Sequence, residues 1–204
     1  MAKYHKYVFD VKKREFIGNF EEMYQSEMKE NFDSWYQDDT RHLPRKIVFD
    51  ILNDYNFKNI IDLGCGKGSL THVLKKKNNS VTALDISETA INTAKEKYPD
   101  IKFVCMDIND VDAFGKYVSD REEKTNLIIS RELFSYLKNW KKILKIISEA
   151  TEYFLISLDM PHNPIGFVKS EKELYSEIEK YFEIIECIKL YKHQHIIIFS
   201  RNKA

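Results

Sequence analysis

The chain has 204 residues, and its 32 Lys and Arg residues balance 32 Asp and Glu residues, so the formal net charge is zero. A hydrophobic fraction of 43% excludes an intrinsically disordered chain. Folding at this length buries about 70% of the extended surface, which is enough for one core and predicts a single domain. Zero net charge removes the overall attraction that drives non-specific nucleic-acid binding, so we do not expect a nucleic-acid partner.

The sequence carries no sign of a metal site, a disulfide framework or a membrane segment. Its three cysteines are scattered and form no Cys-x-x-Cys pair. No apolar run approaches the length of a membrane span, and the first residues lack the apolar stretch of a signal peptide. We therefore expect a cytoplasmic protein with no membrane partner and no bound metal.

The elements predicted first in chain order belong to an N-terminal segment, residues 1–56. No strand-like alternation is visible there, and the segment is predicted to be helical and irregular. Ile47, Val48, Ile51 and Leu52 stand at helical spacing just before the first core strand. Residues 32–42 are dense in aromatic and charged side chains, which is also compatible with an ordinary packing helix.

From residue 57 onward, short apolar runs alternate with longer helical patterns. Strands are predicted over 59–63, 80–84, 101–106, 127–130 and 153–158, and helices over 69–77, 87–98, 111–119 and 140–150. Most of these strands are apolar nearly throughout, as parallel strands covered on both faces should be. This alternation predicts a doubly wound, Rossmann-like α/β core over 57–204.

The end of the chain follows a different pattern. A helix is predicted over 170–181, with Ser170 as N-cap and Glu173 completing a capping box. Strands over 182–190 and 195–200 lie so close in sequence that they form a hairpin. We expect a mostly parallel, seven-stranded sheet with one antiparallel strand near the C-terminus. His193 and His195, near the start of the last strand, are predicted to face solvent.

The most informative stretch runs Asp-Leu-Gly-Cys-Gly-Lys-Gly-Ser from Asp62 to Ser69. Glycine allows a sharp turn and the close approach of a ligand to the main chain, and the helix that follows offers free N–H groups. A dinucleotide site would need its third glycine at Ser69, and Asp62 would repel a pyrophosphate. A carboxylate here suits a cationic ligand, while Lys67 is expected to point to solvent.

Two further acids follow the next two predicted strands. Asp85 comes 21 residues after Gly64, where an acid hydrogen-bonds ribose hydroxyls. Asp107 follows the third strand, where a carboxylate can accept a hydrogen bond from the amino group of adenine. Asp62, Asp85 and Asp107 should therefore meet in one crevice at the carboxyl edge of the sheet.

Over about residues 45–200, the chain resembles class I S-adenosylmethionine-dependent methyltransferases. The resemblance implies S-adenosylmethionine as cofactor and S-adenosylhomocysteine as product. It implies that Asp62 and the glycines contact the methionine part, Asp85 the ribose and Asp107 the adenine. The full set of implied cofactor residues is Asp62, Gly64, Cys65, Gly66, Gly68, Asp85, Ile86, Asp107, Ile108 and Arg131.

The same resemblance makes residues 1–56 a lid over the acceptor pocket. The implied acceptor-binding residues are Trp35, Tyr36, Arg41, His42 and His162. Residues 130–137 are similar to the family's segment after its fourth strand, with Tyr136 at the place where the family often has histidine. The candidate catalytic bases are His162, His42, Tyr136 and Glu132, although His162 also fits a surface loop.

The predicted function is methyl transfer to nitrogen or oxygen of a small polar acceptor, such as a sugar or another metabolite. Two alternatives stay open at this point: a methyltransferase acting on RNA or protein, which predicts a basic face beside the crevice, and a non-catalytic cofactor-binding module. Asp62 and Ser69 disfavour a dehydrogenase. The acceptor and the oligomeric state are not predicted.

Overall fold

The computed structural model describes residues 5–30, 32–35, 37, 39 and 41–204. Among these residues, no helix combines the length and the apolar character that crossing a membrane requires.

The N-terminal segment contains a small hairpin that the sequence did not predict. It comprises α1 (His5–Val8), β1 (Phe9–Asp10), β2 (Glu15–Phe16), α2 (Phe20–Glu30) and α3 (Leu43–Asn53). The Asp10 carboxylate closes the turn by accepting hydrogen bonds of 3.0 Å from the Lys12 and Lys13 amides. Strands of two residues show no detectable alternation, so sequence periodicity could not reveal them.

Seven strands form the central sheet: β3 (Asn59–Leu63), β4 (Ser80–Asp85), β5 (Lys102–Cys105), β6 (Thr125–Arg131), β7 (Thr151–Asp159), β8 (Phe182–Leu190) and β9 (His195–Asn202). Their spatial order is β5-β4-β3-β6-β7-β9-β8. The pairs from β5 to β7 are parallel, and β9 pairs antiparallel with both β7 and β8. The predicted fold class is confirmed, including the single antiparallel strand near the C-terminus.

The helices that follow the strands are α4 (Ser69–Leu74), α5 (Glu88–Lys97), α6 (Val111–Ser119), α7 (Trp140–Ala150) and α8 (Glu171–Ile178). Side-chain N-caps begin three of them, including Ser170, which accepts from the Glu173 amide. Helix α4 ends three residues earlier than predicted. Asn79 is the reason, because its amide donates to the Leu74 carbonyl at 2.8 Å and its side-chain oxygen accepts from the Lys76 amide.

Apolar residues cover both faces of the sheet. One core cluster includes Phe114, Phe134 and Phe154, and the other includes Val48 and Phe199. Val48 lies on α3 and is fully buried, so this helix belongs to the layer that covers the sheet. The segment that covers the cavity described below therefore ends before α3 begins, earlier than the predicted boundary at residue 56.

The order of the strands creates a crevice in the middle of the sheet. The chain leaves β3 on one side towards β4 and returns later to place β6 on the other side. Crossovers on opposite faces leave an opening outside the carboxyl ends of the strands at this point, where open α/β sheets bind their ligands.

Candidate cofactor and acceptor site

A cavity of about 570 Å³ opens at the carboxyl edge of the sheet. Its floor comes from the ends of β3, β4, β6 and β7, and residues of the N-terminal segment cover it. Cavities of this size suit small molecules and cofactors. Its wall includes most of the predicted site residues: Trp35, His42, Asp62, Gly64, Cys65, Gly66, Asp85, Ile86, Asp107, Ile108, Arg131, Glu132 and Tyr136.

The glycine turn after β3 holds a conformation that favours glycine. Gly64, Gly66 and Gly68 have φ angles of 74°, 53° and 80°. The Asp85 carboxylate accepts the Gly66 amide at 2.7 Å, so the turn is tied to the end of β4. Gly64 and Gly66 line the cavity.

Gly68 has a different environment from the one predicted. It is the N-cap of α4, and a Cβ atom there would lie 2.9 Å from the Phe103 ring. Gly68 is not among the residues that line the cavity. Its lack of a side chain therefore serves the packing of the turn against β5.

The three predicted acids all line the cavity, in different environments. Asp62 is 1% exposed and accepts the Thr71 hydroxyl at 2.6 Å. Burial raises the pKa of Asp62 to about 6, and it also raises the pKa of Asp85. Asp107 is exposed. Carboxylates along this crevice fit a ligand with a cationic end and hydroxyl donors.

The Asp85 carboxylate is held in place by two backbone amides. Besides the Gly66 amide, it accepts the Ser87 amide at 3.0 Å. Each carboxylate oxygen has two lone pairs, so both can accept a further hydrogen bond. Ile86, the next residue, lines the cavity and is 43% exposed, which leaves an apolar surface against which a planar ring can pack.

The N-terminal segment is fastened to the glycine turn. The Gln37 side chain accepts the Lys67 amide at 2.9 Å and donates to the Tyr24 hydroxyl at 3.1 Å. The Lys67 ammonium pairs with the buried Glu27 carboxylate, in contrast to the predicted solvent-facing position. A Cβ atom on Gly66 would lie 2.7 Å from both Gln37 and Tyr24, so glycine also allows the segment to approach.

Aromatic rings dominate the covered side of the cavity. The ring of Tyr136 lies 5.2 Å from that of Phe20, 5.9 Å from that of Phe9 and 6.0 Å from that of Trp35, measured between centroids. Arg14, after β1, donates to the side chain of Asn163 at 2.8 Å. The β1–β2 hairpin thereby contacts the loop after β7, and these two segments narrow the opening of the cavity.

A polar cluster lies beyond the glycine turn. The Glu132 carboxylate accepts the Asp159 amide at 2.8 Å, and the His195 Nδ1 atom lies 2.6 Å from the Asp159 carboxylate. The other ring nitrogen of His195 lies 2.7 Å from the Ser157 hydroxyl. Glu132 has a φ angle of 61°, unusual for a residue other than glycine, and such strain is found preferentially at functional sites.

Electrostatics in this cluster favour proton transfer near neutral pH. Burial and the neighbouring Asp159 charge raise the pKa of Glu132 to about 7. Burial, followed by Arg131 and His195, lowers the pKa of His42, which keeps that imidazole neutral. Both side chains line the cavity and can accept a proton.

Several predicted residues lie elsewhere. His162 is exposed and does not line the cavity, because its loop directs the neighbouring Pro161 and Asn163 to the wall instead. Arg41 is exposed and pairs with Asp39. Tyr36 lies outside the described residues. His195 was predicted to face solvent, but it is 3% exposed.

Sequence reasoning also missed residues that shape the site. Tyr24, Gln37 and Arg14 carry no recognisable motif, and only the folded chain brings them to the cavity. For His195 a signal was available. Because β9 is antiparallel, its first residue must lie at the carboxyl edge of the neighbouring parallel strand, and His195 pairs directly with Asp159 of β7.

Residues 56–197 match the family model described as a methyltransferase domain. The chain is similar to a ubiquinone biosynthesis O-methyltransferase of Rickettsia conorii, 25% identical over 73% of this chain and 56% of that protein. It is also similar to malonyl-[acyl-carrier protein] O-methyltransferase 1 of Ilyobacter polytropus, 25% identical over 55% of this chain and 41% of that protein. The chain thus spans about half the length of these two relatives.

A solved structure shows the same fold. The N-methyltransferase NodS of Bradyrhizobium japonicum WM9, crystallised with S-adenosylhomocysteine, superposes with a TM-score of 0.70 at 17% identity, over 89% of this chain and 98% of that one. The cationic end, ribose and purine of S-adenosylmethionine fit the acids and the apolar surface of the cavity. The chain therefore belongs to the methyltransferase-domain family.

Proposed function

We propose that this chain is an S-adenosylmethionine-dependent methyltransferase that modifies a nitrogen or oxygen atom of a small polar acceptor. The observation that carries the proposal is the partly covered cavity beyond the glycine turn, where aromatic rings and the Glu132 and Asp159 carboxylates line one space. With about 570 Å³ for both cofactor and acceptor, the acceptor must be small. An aromatic wall with a few convergent polar groups is typical of small-molecule sites.

The names of similar proteins allow either acceptor atom. The relatives from Rickettsia and Ilyobacter are named as O-methyltransferases, whereas NodS is titled an N-methyltransferase. Both acceptor atoms therefore occur among similar proteins. The alternatives of an RNA or protein acceptor fit less well, because the N-terminal segment covers the cavity that such a partner would need to enter.

We assign the cofactor contacts to residues that line the cavity. Asp62 would balance the positive charge of the methionine part, Asp85 would accept the ribose hydroxyls, and Asp107 would accept from the adenine amino group. Ile86 and Ile108 would pack against the ring, and Gly64, Cys65 and Gly66 line the approach to the main chain. When bound, S-adenosylmethionine supplies a methyl carbon that is electrophilic because its sulfur is positively charged.

The protein contributes position and proton transfer. The wall around Tyr136 would orient the acceptor towards the methyl group and exclude water. An amine that is already neutral needs no base, whereas a hydroxyl or ammonium group must lose a proton. Glu132, with a pKa of about 7, and His42, whose pKa is lowered by partial burial and by Arg131, are the two cavity groups that we propose for this step.

The test is transfer of a labelled methyl group to a metabolite extract, followed by mass spectrometry of the labelled product. We expect one small labelled product with the wild type and none with Asp85→Ala, which should also lose S-adenosylhomocysteine binding in calorimetry. Glu183→Gln, an exposed change on β8, is the control and should behave as wild type. Labelled RNA or protein without a labelled metabolite would contradict the proposal.

A further inference from the structure

The polar cluster of the cavity contains three side chains with the donor atoms of a metal site. The carboxylates of Glu132 and Asp159 and the imidazole of His195 each offer one ligand atom, and these atoms lie within 4.8 Å of one another. They come from the end of β6, the end of β7 and the start of β9. From these contacts we infer that Glu132, Asp159 and His195 bind a divalent transition-metal ion that holds an oxygen acceptor.

The distances are close to those that a metal requires. Bonds of about 2.1 Å place neighbouring ligand atoms about 3.0–3.4 Å apart in octahedral or tetrahedral geometry. His195 Nδ1 lies 3.5 Å from Glu132 Oε1 and 2.6 Å from Asp159 Oδ1. The second distance must lengthen slightly, and the Asp159 side chain is 67% exposed, so it has room to turn.

The contact at the second ring nitrogen of His195 is typical of a histidine that binds a metal ion. A metal-bound histidine uses its other ring nitrogen as a hydrogen-bond donor to a fixed acceptor. In this structure the Ser157 hydroxyl lies 2.7 Å from Nε2 of His195, and both side chains are buried. A hydroxyl can donate or accept, so Ser157 accommodates the ring both without an ion and with an ion on Nδ1.

The charges and the surrounding space are also favourable. The Glu132 and Asp159 carboxylates line the cavity together with the single guanidinium of Arg131, so two carboxylates face one cation at the cluster. Two oxygen ligands and one imidazole suit Mn²⁺ or Zn²⁺ better than Mg²⁺, which prefers oxygen alone. Three protein ligands leave coordination positions open towards the cavity, where the acceptor is proposed to bind.

This inference rests on the proposed function and narrows it to an oxygen acceptor, one with two adjacent oxygen atoms that can chelate the ion. The acceptor hydroxyl would transfer its proton to His42, whose ring centroid lies 6.4 Å from that of His195. The oxygen–carbon bond then forms as the carbon–sulfur bond breaks, with the electron pair leaving on sulfur. Glu132 would serve as a metal ligand, and His42 as the base.

Metal binding can be measured without knowing the acceptor. We would titrate chelator-treated wild-type protein with ZnCl₂ and MnCl₂ in a calorimeter, and follow His195 ring resonances by NMR as Mn²⁺ is added. The expected result is one saturable ion per chain, with the His195 signals among those that broaden at the lowest Mn²⁺ concentrations. Asp159→Asn should weaken binding at least tenfold, whereas Asp112→Asn, an exposed change on α6, should leave it unchanged.

Two results would overturn the inference: no saturable binding of either ion to the wild type, or equal binding by wild type and Asp159→Asn. If the Asp159 variant does not fold, Glu132→Gln and the wild-type NMR titration decide in its place. S-adenosylhomocysteine binding and labelled methyl transfer are measured separately. Methyl transfer to a product without metal binding would therefore refute the metal site and leave the proposed function standing.

Discussion

Asp62 allows a quantitative test, because burying its charge lowers the unfolding free energy of the protein, which can be measured. The side chain is 1% exposed, and burial raises its pKa from 3.8 to about 6. An ionised Asp62 therefore destabilises the cofactor-free protein by about 3 kcal/mol, at about 1.4 kcal/mol per pKa unit. Asn has the same shape, and its side-chain oxygen can still accept the Thr71 hydroxyl, so Asp62→Asn removes only the buried charge.

The direction of the pH dependence follows from the raised pKa. Between pH 3.8 and about 6 the unfolded chain has lost the Asp62 proton while the folded chain keeps it, so stability falls as the pH rises. We expect Asp62→Asn to exceed the wild type in unfolding free energy by about 3 kcal/mol at pH 8 and by about half of that at pH 5. The variant should nevertheless lose affinity for S-adenosylhomocysteine.

The measurement is urea unfolding of both proteins at several pH values, with S-adenosylhomocysteine calorimetry beside it. Comparing the two proteins at each pH cancels the titration of other groups. Asp100→Asn, an exposed change in the turn before β5, is the matched control and should change neither quantity. An advantage of Asp62→Asn that is the same at pH 5 and pH 8, or a variant less stable than wild type at pH 8, would refute the reasoning.

Three further predictions concern the glycine turn and the N-terminal segment that covers the cavity. Gly66→Ala should abolish S-adenosylhomocysteine binding and lower the melting temperature, because the new Cβ would lie 2.7 Å from Gln37 and the φ angle of Gly66 is positive. Gly115→Ala in α6 is the control and should not destabilise the protein, because its new Cβ would lie 3.5 Å from the nearest side chain. Trp35→Ala should reduce methyl transfer while calorimetry shows unchanged affinity for S-adenosylhomocysteine. A loss of that affinity would contradict the proposal that Trp35 contacts the acceptor. Lys67→Met should cost about 3 kcal/mol in urea unfolding, because it leaves the buried Glu27 carboxylate without its cation, and adding Glu27→Gln should restore most of that loss.

The sheet and the cofactor half of the site could be predicted because their signals are local in sequence. The apolar runs predicted the strand ends to within two residues, as for 80–84 against Ser80–Asp85. Asp62 and Asp85 were found because each stands at a strand end and at a fixed distance from the glycine turn. The same local signals predicted that Gly68 contacts the cofactor, but its environment is set by the Phe103 ring on β5, a strand that comes later in the chain.

The side of the cavity proposed for the acceptor could not be predicted to the same extent, because it is formed by separate parts of the chain. Gln37 meets Lys67 across 30 residues, and His195 meets Asp159 across 36 residues. Neither contact follows a helical or strand period. Only the direction of β9 would have suggested that His195 turns inward rather than towards solvent.

The attachment of the N-terminal segment to the glycine turn has a consequence for how this protein can change during evolution. Lys67 stands in the turn that forms the cofactor floor, yet its ammonium group pairs with Glu27 of α2. The two positions are 40 residues apart, and loss of Lys67 would leave the buried Glu27 carboxylate without its cation, whereas Lys67 also pairs with Asp33 at 3.6 Å. In relatives that keep this segment, we expect the residues at positions 27 and 67 to be replaced together, as a covarying pair.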